Sequence, residues 1–293
     1  MDYNFSECTL CPRECRADRI NGRGLCGEGH MLRAAKAQLH MWEEPCLSGT
    51  KGAGAVFFSG CSLRCCFCQN RAISSEDHGR EITEKRLGEI FLDLQDEGAH
   101  CIDLVSPTHF VPQIINALDK VKSRLKIPVV YNCGGYEKKD TVKMLDGYID
   151  VYLPDFKYMD SAASKKYSGA ENYFENISQA LPEMRRQTGK CAFDEKGIIQ
   201  RGVIVRHLVL PGLRHDSVNI LEWLSENLDG FILSLMSQYT PQNSGFKEIE
   251  RCISTFEYKY VLEKAEELGL EGYMQERTAS DVRYIPDFDL SGL

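Results

Sequence analysis

The chain's 293 residues, 43% hydrophobic and 27% charged, suffice for one large domain or two small ones with a full hydrophobic core. A formal charge of −8 excludes the broad basic footprint of a nucleic-acid binder and leaves protein or small-molecule partners. No apolar run reaches the ~18 residues of a membrane span and the N-terminus lacks a basic and apolar signal segment, so the expected setting is cytoplasmic, off the membrane.

Cysteine usage is the first strong signal. Of thirteen cysteines, nine lie in the first 68 residues, and only Cys101, Cys133, Cys191 and Cys252 follow. A disulfide framework is unexpected in a reducing compartment, whereas metal sites are not. Residues 1–50 carry Cys8, Cys11, Cys15 and Cys26 in the pattern C-x2-C-x3-C-x10-C, interleaved with Pro12 and several glycines. This segment has too few apolar residues for a core of its own. It reads as a small knot folded around a metal, structural zinc as the first choice and an additional iron–sulfur cluster as the second. Cys46, His30 and His40 are the substitute ligands to consider.

From residue 51 to 293 the pattern is that of a second, larger unit of alternating strands and helices. The apolar run 55–60 predicts a strand that enters the loop CSLRCCFC. Its Cys61, Cys65 and Cys68 have the spacing C-x3-C-x2-C, so three sulfurs can converge on one soft metal centre. By spacing alone a cluster with one open iron and a zinc site completed by Cys66 or a distant residue are nearly balanced. A helix is expected over 83–97, with Thr83 as N-cap and Leu87, Ile90, Phe91 and Leu94 on one face. Strands follow at 101–106, 127–132 and 149–156, with helices at 111–125 and 138–147. A long helical region runs to Gly189 with a break near Pro182. A hairpin turning at Asp194–Gly197 leads into a strand over 202–210. A helix over 217–228, a strand over 230–238, a helix over 258–269 and a short strand over 272–276 complete the order, and the tail to Leu293 covers one end. Six strand–helix repeats predict a mostly parallel α/β sheet with right-handed crossovers.

In such sheets function gathers where strands end and helices begin. There lie Cys61–Cys68, then Ser106, Thr108 and His109, then Asn132 with Gly134 and Gly135, then Asp155 and Lys157, while Arg206 and His207 lie within the fifth strand and Gln238 and Tyr239 close the sixth. Gly134-Gly135 reads as a tight turn rather than a phosphate cradle, because no G-x-G-x-x-G or Walker pattern accompanies it. His109 and His207 are candidates for substrate or cofactor contacts, although an isolated histidine at a strand end is more often structural.

With these residues in view, CSLRCCFC resembles the C-x3-C-x-aromatic-C motif of radical S-adenosylmethionine enzymes, Phe67 filling the aromatic position. The order of elements resembles their partial (β/α)6 TIM-type barrel. FFSGCSLRCCFCQN, YNCGGYE, LPDFKYMD and VRHLVLPG are similar to successive strand ends of pyruvate formate-lyase activating enzymes. The N-terminal CTLCPREC and EEPCLSGTKG resemble a PflX-type sub-branch of activating-enzyme-like iron–sulfur proteins. The resemblance implies that Cys61, Cys65 and Cys68 hold three irons of a [4Fe–4S] cluster and that S-adenosylmethionine chelates the fourth. Reductive cleavage would then yield a 5′-deoxyadenosyl radical that abstracts hydrogen from a substrate. It also implies a reductant such as flavodoxin or ferredoxin, and a protein or peptide among the candidate substrates. Asp155 and Lys157 align with an Asp-x-Lys near the cofactor, and Asn132 with an aspartate. Arg206 is placed near the cofactor carboxylate or ribose. Two departures stand out. Ser106-Pro107-Thr108 replaces the Gly-Gly-Glu segment that meets the methionine amino group, leaving hydroxyl and carbonyl oxygens as acceptors. The extra cysteines lie N-terminal instead of in a ferredoxin-like insert after the motif. Three readings follow: a glycyl-radical-enzyme activase, a radical enzyme acting on a peptide or small molecule, and a metal or iron–sulfur binding protein without turnover.

Overall fold

The structure is a computed structural model that describes residues 3–275 and 286–293. Elements run in the order β1 (Leu32–His40), α1 (Pro45–Ser48), β2 (Ala53–Phe58), α2 (Arg71–Ser74), β3 (Arg80–Ile82), α3 (Glu84–Asp96), β4 (Ile102–Val105) and α4 (Val111–Val121). They continue as β5 (Val129–Cys133), α5 (Lys139–Met144), β6 (Val151–Pro154), α6 (Ser161–Ser168), α7 (Tyr173–Thr188), β7 (Ala192–Phe193) and β8 (Ile199–Leu208). α8 (Arg214–Asn227), β9 (Ile232–Met236), α9 (Thr255–Glu267) and β10 (Gly272–Met274) complete the series. Residues 276–285, part of the predicted last strand and tail, lie outside the described residues.

One sheet holds the strands in the order β10-β9-β8-β6-β5-β4-β2-β1-β3. Pairing is parallel from β2 through β4, β5, β6, β8 and β9 to β10, which is the partial (β/α)6 barrel with one further strand. The parallel strands are apolar runs because helices cover the outside and side chains fill the inside. Every residue of β2, β4, β5 and β6 is buried. α3 shows the local logic. The Thr83 hydroxyl accepts the Arg86 amide at 3.1 Å, and Leu87, Ile90, Phe91 and Leu94 are buried against the barrel.

Three features depart from expectation. β1 is a strand of the main sheet, antiparallel to β2 and β3, within the segment read as the cysteine knot. Its Arg33 and Lys36 are buried because Glu28 and Asp77 pair with the first and Asp289 with the second. α7 runs unbroken through Pro182. The long helical region breaks earlier, where Gly169 takes a left-handed C-cap at φ +62°. α1 turns the chain into the N-terminal end of the barrel, where Cys46 and Leu47 join Ala53, Cys101, Val130 and Ile204 in a buried apolar layer.

α9 is tied to the loop after β8 by one side chain. Glu257 closes a capping box with Ser254, accepts the Gly212 amide at 2.7 Å and pairs with Arg251 at 2.7 Å. Glu257→Ala is expected to lower unfolding free energy by about 1–2 kcal/mol at neutral pH. The hydrogen bond from Arg251 is the main reason its carboxyl lies below the ordinary 4.5, against the opposing pull of burial. That stability is therefore full above 4.5 and lost as pH falls through the depressed folded value. Urea titrations of both proteins at neutral and acidic pH should show the gap closing on acidification.

Candidate active site

The chain leaves β2 through Ser59 and Gly60 and turns at once into the cysteine loop. Gly60 has φ +79°, and a Cβ there would lie 2.5 Å from Glu28 Cγ and 2.7 Å from the Cys26 carbonyl. Backbone bonds then fix the loop: Cys61 N–H to Cys26 O at 3.1 Å, Cys66 N–H to Tyr167 O at 2.8 Å and Cys68 N–H to Cys65 O at 3.1 Å. Cys61, Cys65 and Cys68 line a cavity of about 550 Å³ at the carboxyl ends of the barrel strands, and Cys66 does not. The Cys65 sulfur accepts the Ser168 hydroxyl at 3.0 Å and the Cys68 sulfur the Ser74 hydroxyl at 3.4 Å. Phe67 is buried edge-on to Tyr239, with ring centroids 5.9 Å apart.

Across the cavity stands a charged relay. Arg206 donates to Asp155 at 2.8 Å, to the side-chain amide oxygen of Asn132 at 2.6 Å and to Glu43 at 3.3 Å. Lys157 donates to the other Asp155 oxygen at 2.6 Å. Burial alone would raise the Asp155 carboxyl, but the charges of Arg206 and Lys157 outweigh it and hold it below the usual range. Burial works against the Lys157 ammonium, and the charge of Asp155 overcomes it. Behind Arg206 sit Glu43, Glu44 and Asp103. Burial pushes all three carboxyls up, although the Arg206 charge draws each one down.

Of the residues singled out from sequence, Ser106, Asn132, Asp155, Lys157, Arg206 and Phe67 line the cavity together with the three cysteines. Ser106 adopts φ +59°, which turns the strand end into the cavity. Thr108 stands apart from the wall: it is buried, and its hydroxyl donates to Glu137 at 2.7 Å. Neither strand-end histidine lines the cavity. His109 Nε2–H donates to the Ser59 carbonyl at 2.7 Å, and burial drives its pKa down to about 3. His207 bridges the Phe156 carbonyl at 2.6 Å and the Ser217 hydroxyl at 2.8 Å, and burial lowers it to about 4. Both are neutral braces. The sequence did not mark Glu43 or Trp42 and offered His40 only as a substitute ligand for the N-terminal cysteines, yet all three line the cavity. His40 ends β1, and Trp42 and Glu43 sit between β1 and α1, where no periodicity signals a cavity wall.

Gly135 shows why the Gly-Gly pair follows β5. Its φ is +76°, and a Cβ would lie 2.0 Å from the Asp155 carbonyl oxygen and 2.5 Å from the Tyr173 hydroxyl. Tyr173 itself donates to that carbonyl at 2.7 Å and accepts the Lys157 amide at 3.0 Å. Gly135→Ala is expected to cost about 2–3 kcal/mol and to displace the Asp155–Lys157 pair. A urea titration beside a cofactor-binding assay would read both effects; an unchanged midpoint contradicts the close approach.

The N-terminal cysteines form a separate group. Cys8, Cys11 and Cys26 are buried and Cys15 is half-buried. Cys46 lies in the layer at the other end of the barrel and His40 on the main cavity wall. Among the described residues no three His, Cys, Asp or Glu side chains are closed around a single ion position.

The donor set suits an iron–sulfur cluster with one open iron. Three thiols share a wall, two of them receiving hydroxyl hydrogen bonds, while carboxylate, ammonium, guanidinium and carboxamide groups face them across a space that fits a nucleoside-sized cofactor. Residues 55–224 match the radical SAM superfamily. A protein of Methanocaldococcus jannaschii, named only as uncharacterized, is 29% identical over 279 residues, which is 91% of this chain and 76% of that one. The crystal structure of Streptococcus suis SuiB bound to precursor peptide SuiA aligns with a TM-score of 0.53 at 17% identity, over 74% of this chain and 46% of that one. HydG, a maturase of the [FeFe]-hydrogenase, aligns with a TM-score of 0.50 at 14% identity, over 73% of this chain and 49% of that one. The chain thus spans about half the length of these solved structures, and at such identities the likeness is one of fold. With the family match covering more than half of the sequence, the chain belongs to the radical SAM superfamily, whose members are enzymes of radical chemistry built on a [4Fe–4S] cluster and S-adenosylmethionine.

Proposed function

We propose that this chain is an activating-enzyme-like radical enzyme in which Cys61, Cys65 and Cys68 hold the cluster and the Asp155–Lys157–Arg206 relay seats the cofactor opposite them. One observation carries the reading: these thiols and the charged relay line a single cavity. When bound, the cluster and S-adenosylmethionine supply a 5′-deoxyadenosyl radical able to abstract a substrate hydrogen. The protein's part is placement and exclusion of water. Lys157 and Arg206 present cations suited to a carboxylate, and Asp155 fixes both in position through hydrogen bonds at 2.6 and 2.8 Å. Asn132 and Ser106 add neutral donors and acceptors for an amino group or a ribose. The hydroxyls of Ser168 and Ser74 stabilise thiolate charge at Cys65 and Cys68.

The similarity of YNCGGYE, LPDFKYMD and VRHLVLPG to activating enzymes makes a glycyl-radical protein the first substrate to test. The experiment is anaerobic reconstitution followed by dithionite and S-adenosylmethionine. The expected result is release of 5′-deoxyadenosine and methionine, with deuterium entering the nucleoside when the substrate glycine is deuterated. Cleavage without deuterium transfer would direct the search to a peptide or small molecule. A well-formed cluster with no cleavage would support a binding protein without turnover.

A further inference from the structure

Arg19 is fully buried, at 0% exposure, in the N-terminal segment. Its guanidinium lies between the rings of Phe5 and Phe110, 5.2 and 5.7 Å from their centroids. It donates to the carbonyls of Glu28 at 3.2 Å, Gly29 at 3.0 Å and His109 at 2.8 Å, and to the Cys8 sulfur at 3.5 Å. Among the described residues no carboxylate forms an ion pair with it; the nearby Glu28 carboxylate goes to Arg33 at 3.0 Å. A buried guanidinium served by carbonyls, one sulfur and ring faces, with no counter-charge, is unfavourable, so this one calls for an anion. Cysteines lie beside it. Cys8 touches Arg19, and Cys15 and Cys26 bring their sulfurs within 3.6 and 3.4 Å of one point beside Gly24. Cys11 is buried in the same knot. As thiols they are neutral. As ligands they are thiolates, and four of them around a dication or an oxidised cluster carry roughly two negative charges.

We infer that Cys8, Cys11, Cys15 and Cys26 form a second, four-thiolate metal centre, with Arg19 as its buried counter-charge, that holds the Cys61–Cys68 loop in place. The second part rests on the cluster assignment made above. The Cys26 carbonyl accepts the Cys61 amide at 3.1 Å, and Arg13, between Cys11 and Cys15, donates to the Ser62 carbonyl at 2.8 Å and the Ser168 carbonyl at 3.0 Å. The thiolate chemistry is common to one zinc ion and to an iron–sulfur cluster, and metal analysis separates them.

The test uses the full chain with Cys61, Cys65 and Cys68 all changed to alanine, so the result is independent of S-adenosylmethionine cleavage. The protein purified anaerobically is expected to keep about one zinc, or about four irons with matching sulfide, per chain. Half-exposed Cys15 should resist alkylation until a chelator strips the metal, then react more than tenfold faster; this readout needs no further variant. Neither metal above trace, or a Cys15 rate unchanged by chelation, overturns the centre. In the otherwise unaltered chain, Cys8→Ser/Cys11→Ser should lose the second centre and at least halve the iron retained by the remaining triad. Full retention there overturns the positioning role and leaves the cluster assignment untouched.

Discussion

Cys65→Ala should abolish 5′-deoxyadenosine formation, while Cys66→Ala should leave it within about twofold of the parent. The two residues are adjacent, so the contrast tests geometry and not composition. Cys65 lines the cavity, and its sulfur receives the Ser168 hydroxyl, itself 2.9 Å from the Tyr158 hydroxyl. Cys66 is anchored through its backbone to Tyr167 and lies off the cavity wall. A cluster that leaves one iron open needs its three protein thiolates, so removing one deprives the site of both iron and reactivity. Losing the second-layer hydroxyl should have a smaller effect: Ser168→Ala is expected to lower activity or iron affinity by roughly 10–100-fold. Iron content and nucleoside release, measured on parallel anaerobic preparations, check all three variants. Equal activity of Cys65→Ala and Cys66→Ala would remove the triad from the mechanism.

Arg206→Ala should be the most destabilising single change in the cavity, costing about 3–5 kcal/mol. Arg206 donates to three acceptors at 3.3 Å or less, from Glu43, Asn132 and Asp155. Without it, Asp155 retains only Lys157, and the buried acids Glu43, Glu44 and Asp103 lose the positive charge that all three share. Arg206→Lys should recover only part of the loss, because one ammonium cannot span three acceptors held in a fork. Burial raises the carboxyls of Glu43, Glu44 and Asp103, so the folded chain holds their protons to higher pH than the unfolded chain does. In the variant their ionised forms are left uncompensated, and its stability should rise as pH falls toward 5. Urea titrations at two pH values measure the cost and its sign. A deficit that is constant with pH would mean that the acids are charged and solvated, against the packing observed.

The barrel was legible because its parallel strands are buried on both faces and read as short apolar runs with polar ends. Cys61–Cys68, Asn132 and Asp155 were visible for the same reason, each standing where an apolar run stops, and Arg206 because it is a charge inside the apolar run GVIVRHLVL. β1 was not, because LRAAKAQLH mixes charges into a buried strand and only tertiary partners, Glu28, Asp77 and Asp289, make that tolerable. Glu43 was hidden because its partner Arg206 lies 163 residues away. Thr108 and His109 were placed at a strand end correctly, but the 3-10 turn Thr108–Phe110 rotates both into the interior. Pro182 illustrates a different limit. A proline in a helical pattern predicts a break, yet packing of Ile177, Leu181 and Met184 into the core holds the helix together across it.

The most direct test of the central claim is electron paramagnetic resonance of the anaerobically reconstituted, reduced protein before and after S-adenosylmethionine is added. An open iron facing the Asp155–Lys157–Arg206 relay predicts a cluster signal whose g-values shift on addition of the cofactor, with the shift lost in Cys65→Ala. A cluster signal that S-adenosylmethionine leaves unchanged in the parent protein would contradict the account.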